Sequence, residues 1–338
     1  GKKAFVERAF YQRLLHYNRR PKNRQQIVSA VDYVKFLHLW QHVAGEPLAG
    51  AESLRKVLLQ LQGVALSHDQ WVLALKLRVH DFSERMLDDL LLTGEFFWWR
   101  PAAETAAVRS ITAKTRYMIL SRDLWYRIAP SVENSLSASL SADARRVYDY
   151  LTKHGASFLA DVHHNARVFS EQTLRGIREL IARGLVTSDQ FFALRQIVAS
   201  GAKQKMAGYR APQWSRATHH FPAGRFALVR FAKSIDEADR AVAIAEMQLA
   251  RQGIIYRYAA ENDFFKVPWP KFVKALRLME MRGLIRGGRF IEGLWGEQFA
   301  EPQALLCLAD LSGISNNKDV SQLDPINLVR RQLVRLGS

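Results

Sequence analysis

One pattern recurs three times along this chain: an amphipathic helix, a glycine stop and an apolar strand. The stops fall at Gly94, Gly184 and Gly283, about 90 to 100 residues apart. Leu185-Val186 and Leu284-Ile285 follow the last two, and Glu95-Phe96-Phe97 follows the first. The residue just past a helix end usually takes a left-handed backbone, which glycine adopts without steric cost. Apolar spacing predicts the three helices themselves at 83–92, 170–183 and 268–281, with Ser83 and Ser170 as N-caps of the first two. The same spacing predicts helices at 6–17, from Ser29 (with Asp32 at N3), and at 52–61, 69–76, 141–154, 191–198, 235–252 and 300–311. Residues 95–100 and 224–231 have strand composition, and 111–120 and 124–128 read as strands or short apolar elements. The serine-rich stretch 130–139 is the best linker, and 201–222 reads as a mobile basic loop.

A helix that ends on glycine and feeds an apolar hairpin is how a winged helix reads. The clearest hairpin is the third, where Arg286-Gly287-Gly288-Arg289 forms a two-glycine tip between apolar strands. In this fold the helix before the wing is the usual DNA reader. Its polar positions are Gln172, Thr173, Arg175 and Arg178 in the second copy, and Lys271, Lys274 and Arg277 in the third. These cations, and Arg286 and Arg289 at the tip, suit phosphate neutralisation. The loop 201–222 adds Lys203, Lys205, Arg210 and Arg216, with Tyr209 and Trp214 as aromatics for stacking on unpaired bases. The competing reading makes these residues ordinary solvated helix faces and the winged helices packing modules.

Composition supports a polyanionic partner. The 338 residues carry 49 Lys and Arg against 32 Asp and Glu, a formal charge of +17. An excess of this size favours nucleic acid over an acidic protein or a purely small-molecule substrate. The single cysteine, Cys307, closes no disulfide within the chain, builds no zinc site of the four-cysteine or two-cysteine, two-histidine kind, and is expected in the core of an apolar helix. No apolar run approaches the roughly 18 residues of a membrane span. No P-loop, dinucleotide-binding glycine motif, nucleophile elbow or zincin motif occurs, so ATP-driven work would have to come from residues outside this chain. The N-terminus has no signal-peptide pattern, and Gly1 in place of Met points to an excised piece of a reduced, cytoplasmic protein.

Other clusters carry less. His163-His164 and His219-His220 lack acidic or thiol partners at ligand spacing, so no metal site is expected. Asp81, Glu84, Asp88 and Asp89 read as a solvated face or as partners for Arg85 rather than a catalytic group. In Trp98-Trp99, strand alternation predicts one ring inside and one outside.

Several segments, in order, resemble a known family. Residues 31–43 (VDYVKFLHLWQHV), 58–63 (LLQLQG), 90–98, 183–195 (RGLVTSDQFFALR), 282–300 and 321–329 are similar to the C-terminal region of the Lhr, or large helicase-related, proteins. The resemblance implies a superfamily-2 helicase core elsewhere in the protein, using ATP and Mg to translocate 3′ to 5′ on single-stranded DNA. It also implies tandem winged helices and a β-barrel, similar in fold to AlkZ-like DNA glycosylases, a role in oligomerisation, and glycosylase activity on uracil-containing DNA. The catalytic Gln-x-Gln or Gln-x-Asp pair of those glycosylases aligns with Ala65 and Ser67. Alanine cannot position a water and serine substitutes weakly for a carboxylate or amide, so catalysis through that pair is not expected.

The expected fold is therefore mainly α with small β: a helical winged-helix module at 1–130, a second at 140–232, a third at 233–311, and the start of an incomplete β-barrel at 312–338. The expected function is a nucleic-acid-binding and assembly module of a DNA-repair helicase, non-catalytic in itself, without cofactor or metal, and cytoplasmic in association with the nucleoid. Its expected partners are single-stranded or forked DNA or an RNA:DNA hybrid, the helicase core in cis, and a second copy of the chain, with no membrane. The alternatives are a base-flipping DNA glycosylase and an oligomerisation platform.

Overall fold

The computed structural model describes residues 27–101, 111–130, 140–166, 168–206, 221–231, 234–311, 324–326 and 329, with side chains in the last helix before 207 described through Ala199. The predicted helix 6–17, the basic run RRPKNR at 19–24 and all of the predicted linker 130–139 except Pro130 lie outside these residues. The chain divides into two compact units, 48–235 and a second formed by 1–47 with 236–338.

In the first unit, three helices, α2 (Gly50–Gln60), α3 (His68–Arg78) and α4 (Glu84–Leu92), lead to a two-stranded sheet of β1 (Phe96–Trp99) and β2 (Met118–Ser121). Helix α3 opens on a capping box: Gln70 Oε1 accepts from Ser67 N at 3.0 Å, and Ser67 Oγ accepts from Gln70 N at 3.5 Å. Residues 124–128 are helical, not extended. Ser121 Oγ accepts from Leu124 N and starts α5 (Arg122–Ile128), a local bond that composition alone did not reveal. The second module follows as α6 (Ala142–His154), β3 (Ser157–Phe158), α7 (Leu159–Asn165), α8 (Ser170–Ala182), β4 (Val186–Ser188), α9 (Phe191–Met206) and β5 (Arg225–Leu228), with sheet order β3-β5-β4. The N-cap of α8 is Phe169 rather than Ser170, its N–H satisfied by Gln172 Oε1 at 3.2 Å. Helix α9 runs eight residues past its expected end, so Lys203 and Lys205 lie on a helix, not in a loop.

The first two modules share one core. Trp98 and Trp99 are both buried, contrary to simple alternation. Strand β1 has β2 on one side and the end of the second module against the other. Trp98 Nε1 donates to Ser188 Oγ, Trp99 Nε1 to Gly184 O, and Thr187 Oγ1 to Trp98 O.

In the second unit, α1 (Ala30–Trp40) packs with elements that come some 200 residues later: α10 (Glu237–Gln252), β6 (Ile254–Ile255), α11 (Arg257–Glu261), α12 (Trp269–Met281), β7 (Arg286–Gly288), β8 (Gln298–Ala300) and α13 (Pro302–Ala309). The last carbonyls of a helix lack intrahelical donors. Three α1-region side chains supply them to α10: Trp40 Nε1 donates to Ala250 O, Gln41 Nε2 to Arg251 O and Tyr33 Oη to Gln252 O, at 2.8–2.9 Å. As predicted, Ser29 caps α1, accepting from Asp32 N. The sheet order β6-β8-β7 repeats that of the second module.

The three stop glycines all have positive φ: +80° at Gly94, +68° at Gly184 and +73° at Gly283. The tandem winged-helix, mainly α architecture is present, and no barrel is seen among the described residues. Cys307 is half-exposed rather than buried in the core, because α13 turns its Ala304 and Leu308 inward instead. No described helix is long and apolar enough to cross a membrane.

Candidate nucleic-acid interface

The three helices in the reader position differ in what they can present. Helix α4 carries Arg85 against Glu84, Asp88 and Asp89, an acidic balance that repels phosphate. Two of those acids are engaged with α9. Asp88 Oδ1 accepts from Phe191 N at 2.6 Å and Phe192 N at 3.3 Å, capping the neighbouring helix from outside its own sequence, and Glu84 pairs with Arg195 at 3.6 Å. Burial holds the Asp88 carboxyl above the usual carboxylate range, and the two backbone donors oppose this. Asp81 serves a similar purpose at α2, accepting from Gly50 N, while Arg85 and Asp89 lie 4.0 Å apart on the exposed face. The acidic cluster is thus largely architectural.

Helix α8 is enclosed. Nine of its thirteen residues are buried. Gly176 lies so close to α6 that an added Cβ would stand 2.7 Å from Asp143 O. Arg178 is 8% exposed, its Nε donating to Ile197 O of α9, and burial lowers the pKa of its guanidinium. Arg178 is therefore an interior residue and cannot meet a phosphate. Thr173 is fully buried, and Arg175, though exposed, is paired with Asp143 at 3.1 Å. Helix α6 packs along α8, and α9, which lies between β4 and β5 in the chain, adds the Ile197 carbonyl that accepts from Arg178. The backbone of Lys203 and Lys205 is on α9, and Tyr209, Arg210, Trp214 and Arg216 lie outside the described residues.

Helix α12 is open. Four of its thirteen residues, Phe272, Ala275, Leu276 and Met279, are buried. Lys271, Lys274, Arg277 and Met281 are exposed at spacings of three, three and four, one stripe along the outer face. Three basic residues stand against one acid, Glu280. Lys271 Nζ lies 2.6 Å from Glu237, but both side chains are exposed and such pairs hold weakly. Lys274 makes no ion pair with a described residue. Arg277 bridges to Glu280 at 2.7 Å and to Glu297 of the wing at 2.8 Å, and covers the Phe299 ring. The Glu280 hydrogen bond raises the pKa of Arg277. Arg277 thus ties helix to wing, and its charge is largely answered within the molecule.

The wing differs from the expected one. Arg286-Gly287-Gly288 is strand β7, paired with β8 in the register Arg286↔Ala300, Gly287↔Phe299, Gly288↔Gln298. Gly287 does not make the turn; its N–H donates to Glu280 Oε1 at 2.9 Å, and an added Cβ would stand 3.0 Å from carboxylate oxygens of both Glu280 and Glu297, so those side chains would have to shift. The loop is 289–297. Its glycines at positive φ are Gly293 (+77°) and Gly296 (+88°). Its first half is fastened by buried Gln298, whose Oε1 accepts from Phe290 N and Ile291 N and whose Nε2 donates to Ile291 O. Val28 N donates to Phe290 O and Glu292 N to Val28 O, adding a second anchor. Arg286 is half-exposed and Arg289 exposed, and neither makes an ion pair with a described residue. Lys266 before α12 and Arg282 after it are also exposed cations that the periodic reading passed over, because they flank the helix rather than lie on its polar face.

No group of three His, Cys, Asp or Glu residues among those described is arranged to hold a metal ion. His163 is on α7, not on a strand, and its Nδ1 is hydrogen-bonded to Val168 O, while His219 and His220 lie outside the described residues. Ser67, aligned with one half of the glycosylase pair, is 7% exposed and engaged as the α3 cap.

Residues 28–115 match the third, and residues 234–319 the fourth, winged-helix domain of the large helicase-related protein. The Lhr helicase/uracil glycosylase of Escherichia coli (strain K12) is 28% identical over 284 residues, 78% of this chain and 18% of that protein. The Lhr helicase/probable uracil glycosylase of Mycolicibacterium smegmatis is 27% identical over 295 residues, 81% of this chain and 18% of that protein. The chain thus spans about a fifth of the length of the curated relatives it matches. Through these two winged-helix domains, the chain belongs to the large helicase-related protein family.

Proposed function

We propose that this chain is a nucleic-acid-binding and assembly module of an Lhr-type DNA-repair helicase, without catalysis of its own, and that its last winged helix makes the principal contact. The observation that carries this is the contrast among the three reader helices: one acidic, one enclosed, and one presenting Lys271, Lys274 and Arg277 outward beside Arg286 and Arg289. Single-stranded or forked DNA is the partner, held mainly through phosphates. ATP-driven 3′ to 5′ translocation belongs to a motor elsewhere in the protein. Lys203, Lys205, Arg210, Trp214 and Arg216 form a second contact region on and after α9. The functional modules are 1–130, 140–232 and 233–311, followed at 312–338 by the start of a barrel.

The test is the binding of fluorescent single-stranded and forked oligonucleotides by anisotropy across a salt series. Log affinity should fall linearly with log salt, and Lys274→Glu and Arg289→Glu should each weaken binding and reduce the slope by about one. Arg175→Glu, on the enclosed helix, should leave both unchanged. Absent or salt-independent binding would favour an oligomerisation platform, which sedimentation would report.

The names of the relatives favour a second reading, base excision from uracil-containing DNA. The use of Ser67 as a helix cap, beside Ala65, argues against it. Release of uracil by this chain from a single-uracil oligonucleotide would establish it.

A further inference from the structure

Trp295 is 91% exposed, the most exposed of the large hydrophobic side chains among the described residues. Tryptophan is seldom left so open, because its burial contributes more than that of almost any other side chain. Nor is its position loose. It lies in the wing loop between Gly293 and Gly296, both at positive φ, downstream of a segment pinned by the three Gln298 side-chain bonds and the two Val28 backbone bonds. Two residues later, Glu297 is fixed to Arg277 of α12. At no more than about 3.6 Å of chain per residue, the tip cannot stand more than about 7 Å from that tie, measured along the backbone. The indole is thus held out beside the basic stripe of α12 and on the same loop as Arg289.

We propose that Trp295 stacks on an unpaired nucleobase, so that the wing distinguishes single-stranded or frayed nucleic acid from a closed duplex. This rests on the nucleic-acid reading above and deepens it. The surroundings choose the occupant. Along the chain the indole is flanked by Gly296 on one side and by half-buried Leu294 and, beyond it, Gly293 on the other, so its own loop adds little apolar surface around it. A protein hot spot needs neighbouring contacts that pack around it and exclude water. A base needs one aromatic face, with cations for the flanking phosphates, and the loop itself carries Arg289 and is tied through Glu297 to Arg277 on the basic stripe of α12. Stacking is sequence-tolerant, so no base preference is expected.

The experiment compares the 338-residue chain with its Trp295→Ala and Trp295→Phe variants. The probes are a fluorescent oligothymidylate, the same strand with abasic sites throughout, and a blunt duplex of equal phosphate count. Trp295→Ala should lose about 5- to 150-fold in affinity for the oligothymidylate. It should lose less than about twofold on the abasic strand and the duplex, where the phosphates remain and the stack does not. Trp295→Phe should recover most of the loss, and every salt slope should stay unchanged. An equal loss on all three probes, or none on oligothymidylate while the wild-type chain binds it salt-dependently, overturns the stacking role and leaves the broader reading intact. A change in sedimentation without a change in DNA affinity assigns Trp295 to a protein contact and also overturns it. Failure of the wild-type chain to bind any probe overturns both readings.

Discussion

Replacing the three stop glycines by alanine should separate a motif that looks uniform in sequence. All three have φ between +68° and +80°, so alanine at any of them meets the left-handed penalty of about 1–2 kcal/mol. Alanine also restricts the unfolded chain, which returns about 0.4–1 kcal/mol. At Gly94 and Gly283 nothing stands within 4 Å of an added Cβ, so those two terms are all there is, and each substitution should cost about 1 kcal/mol. At Gly184 the added Cβ would stand 2.4 Å from Arg100 O and 3.0 Å from Trp99 Nε1. The oxygen belongs to backbone and has no rotamer to move to. The helix end must therefore withdraw from the residue following β1, straining the Trp99 Nε1–Gly184 O bond that joins the two modules. Overpacking of this kind adds about 1–3 kcal/mol, for a total near 2–4 kcal/mol. Urea denaturation with separate probes for the two compact units measures this. Gly94→Ala and Gly184→Ala should act on the 48–235 transition and Gly283→Ala on the other. If Gly184→Ala costs no more than Gly94→Ala, the close approach of the two modules at Gly184 is wrong.

Asp88→Ala should destabilise the 48–235 unit by about 1–2 kcal/mol at neutral pH by uncapping α9, and Asp88→Asn, which keeps an acceptor, should cost less. Because burial raises the folded pKa, the proton-linked part of the Asp88 contribution is fully present below the unfolded value of about 4 and is lost as pH rises through the folded pKa, while the capping bonds to α9 remain. The deficit of Asp88→Asn against wild type should therefore shrink from pH 4 toward pH 7 in thermal melts, and a widening deficit would contradict this. Gln298→Ala strands two backbone N–H groups and one carbonyl in the wing, so it should cost about 2–4 kcal/mol in denaturation of the other unit. It should also raise the hydrogen-exchange rate of Phe290 and Ile291 amides.

The local grammar of the chain was legible. Ser29, Ser83 and Ser141 cap the helices they precede, and three glycines end helices in the left-handed region, because caps and stops depend on residues within one turn of each other. The wing was half legible. The pair Gly287-Gly288 has turn composition, yet β7 runs through it, paired with β8, and the positive-φ glycines of the loop are Gly293 and Gly296 instead. Within the candidate interface, the charge balance of the reader helices was available from the sequence and already disfavoured α4. Lys271, Lys274, Arg286 and Arg289 could be read as candidates because their charge lies on a periodic face or beside the wing glycines, whereas Trp295 has no periodicity to mark it as exposed.

What the sequence determined by itself was the kind of unit, its threefold repetition and its excess of positive charge, all properties of neighbours along the chain. Only the tertiary structure decided which copy is open. Helix α8 has a reader's periodicity, but α6 packs along it and the Ile197 carbonyl of α9 takes Arg178 into the interior. Helix α1 satisfies the carbonyls of a helix about 210 residues away. Neither is encoded locally, because the groups that bury Arg178 and receive the α1 donors are brought there by packing between distant segments.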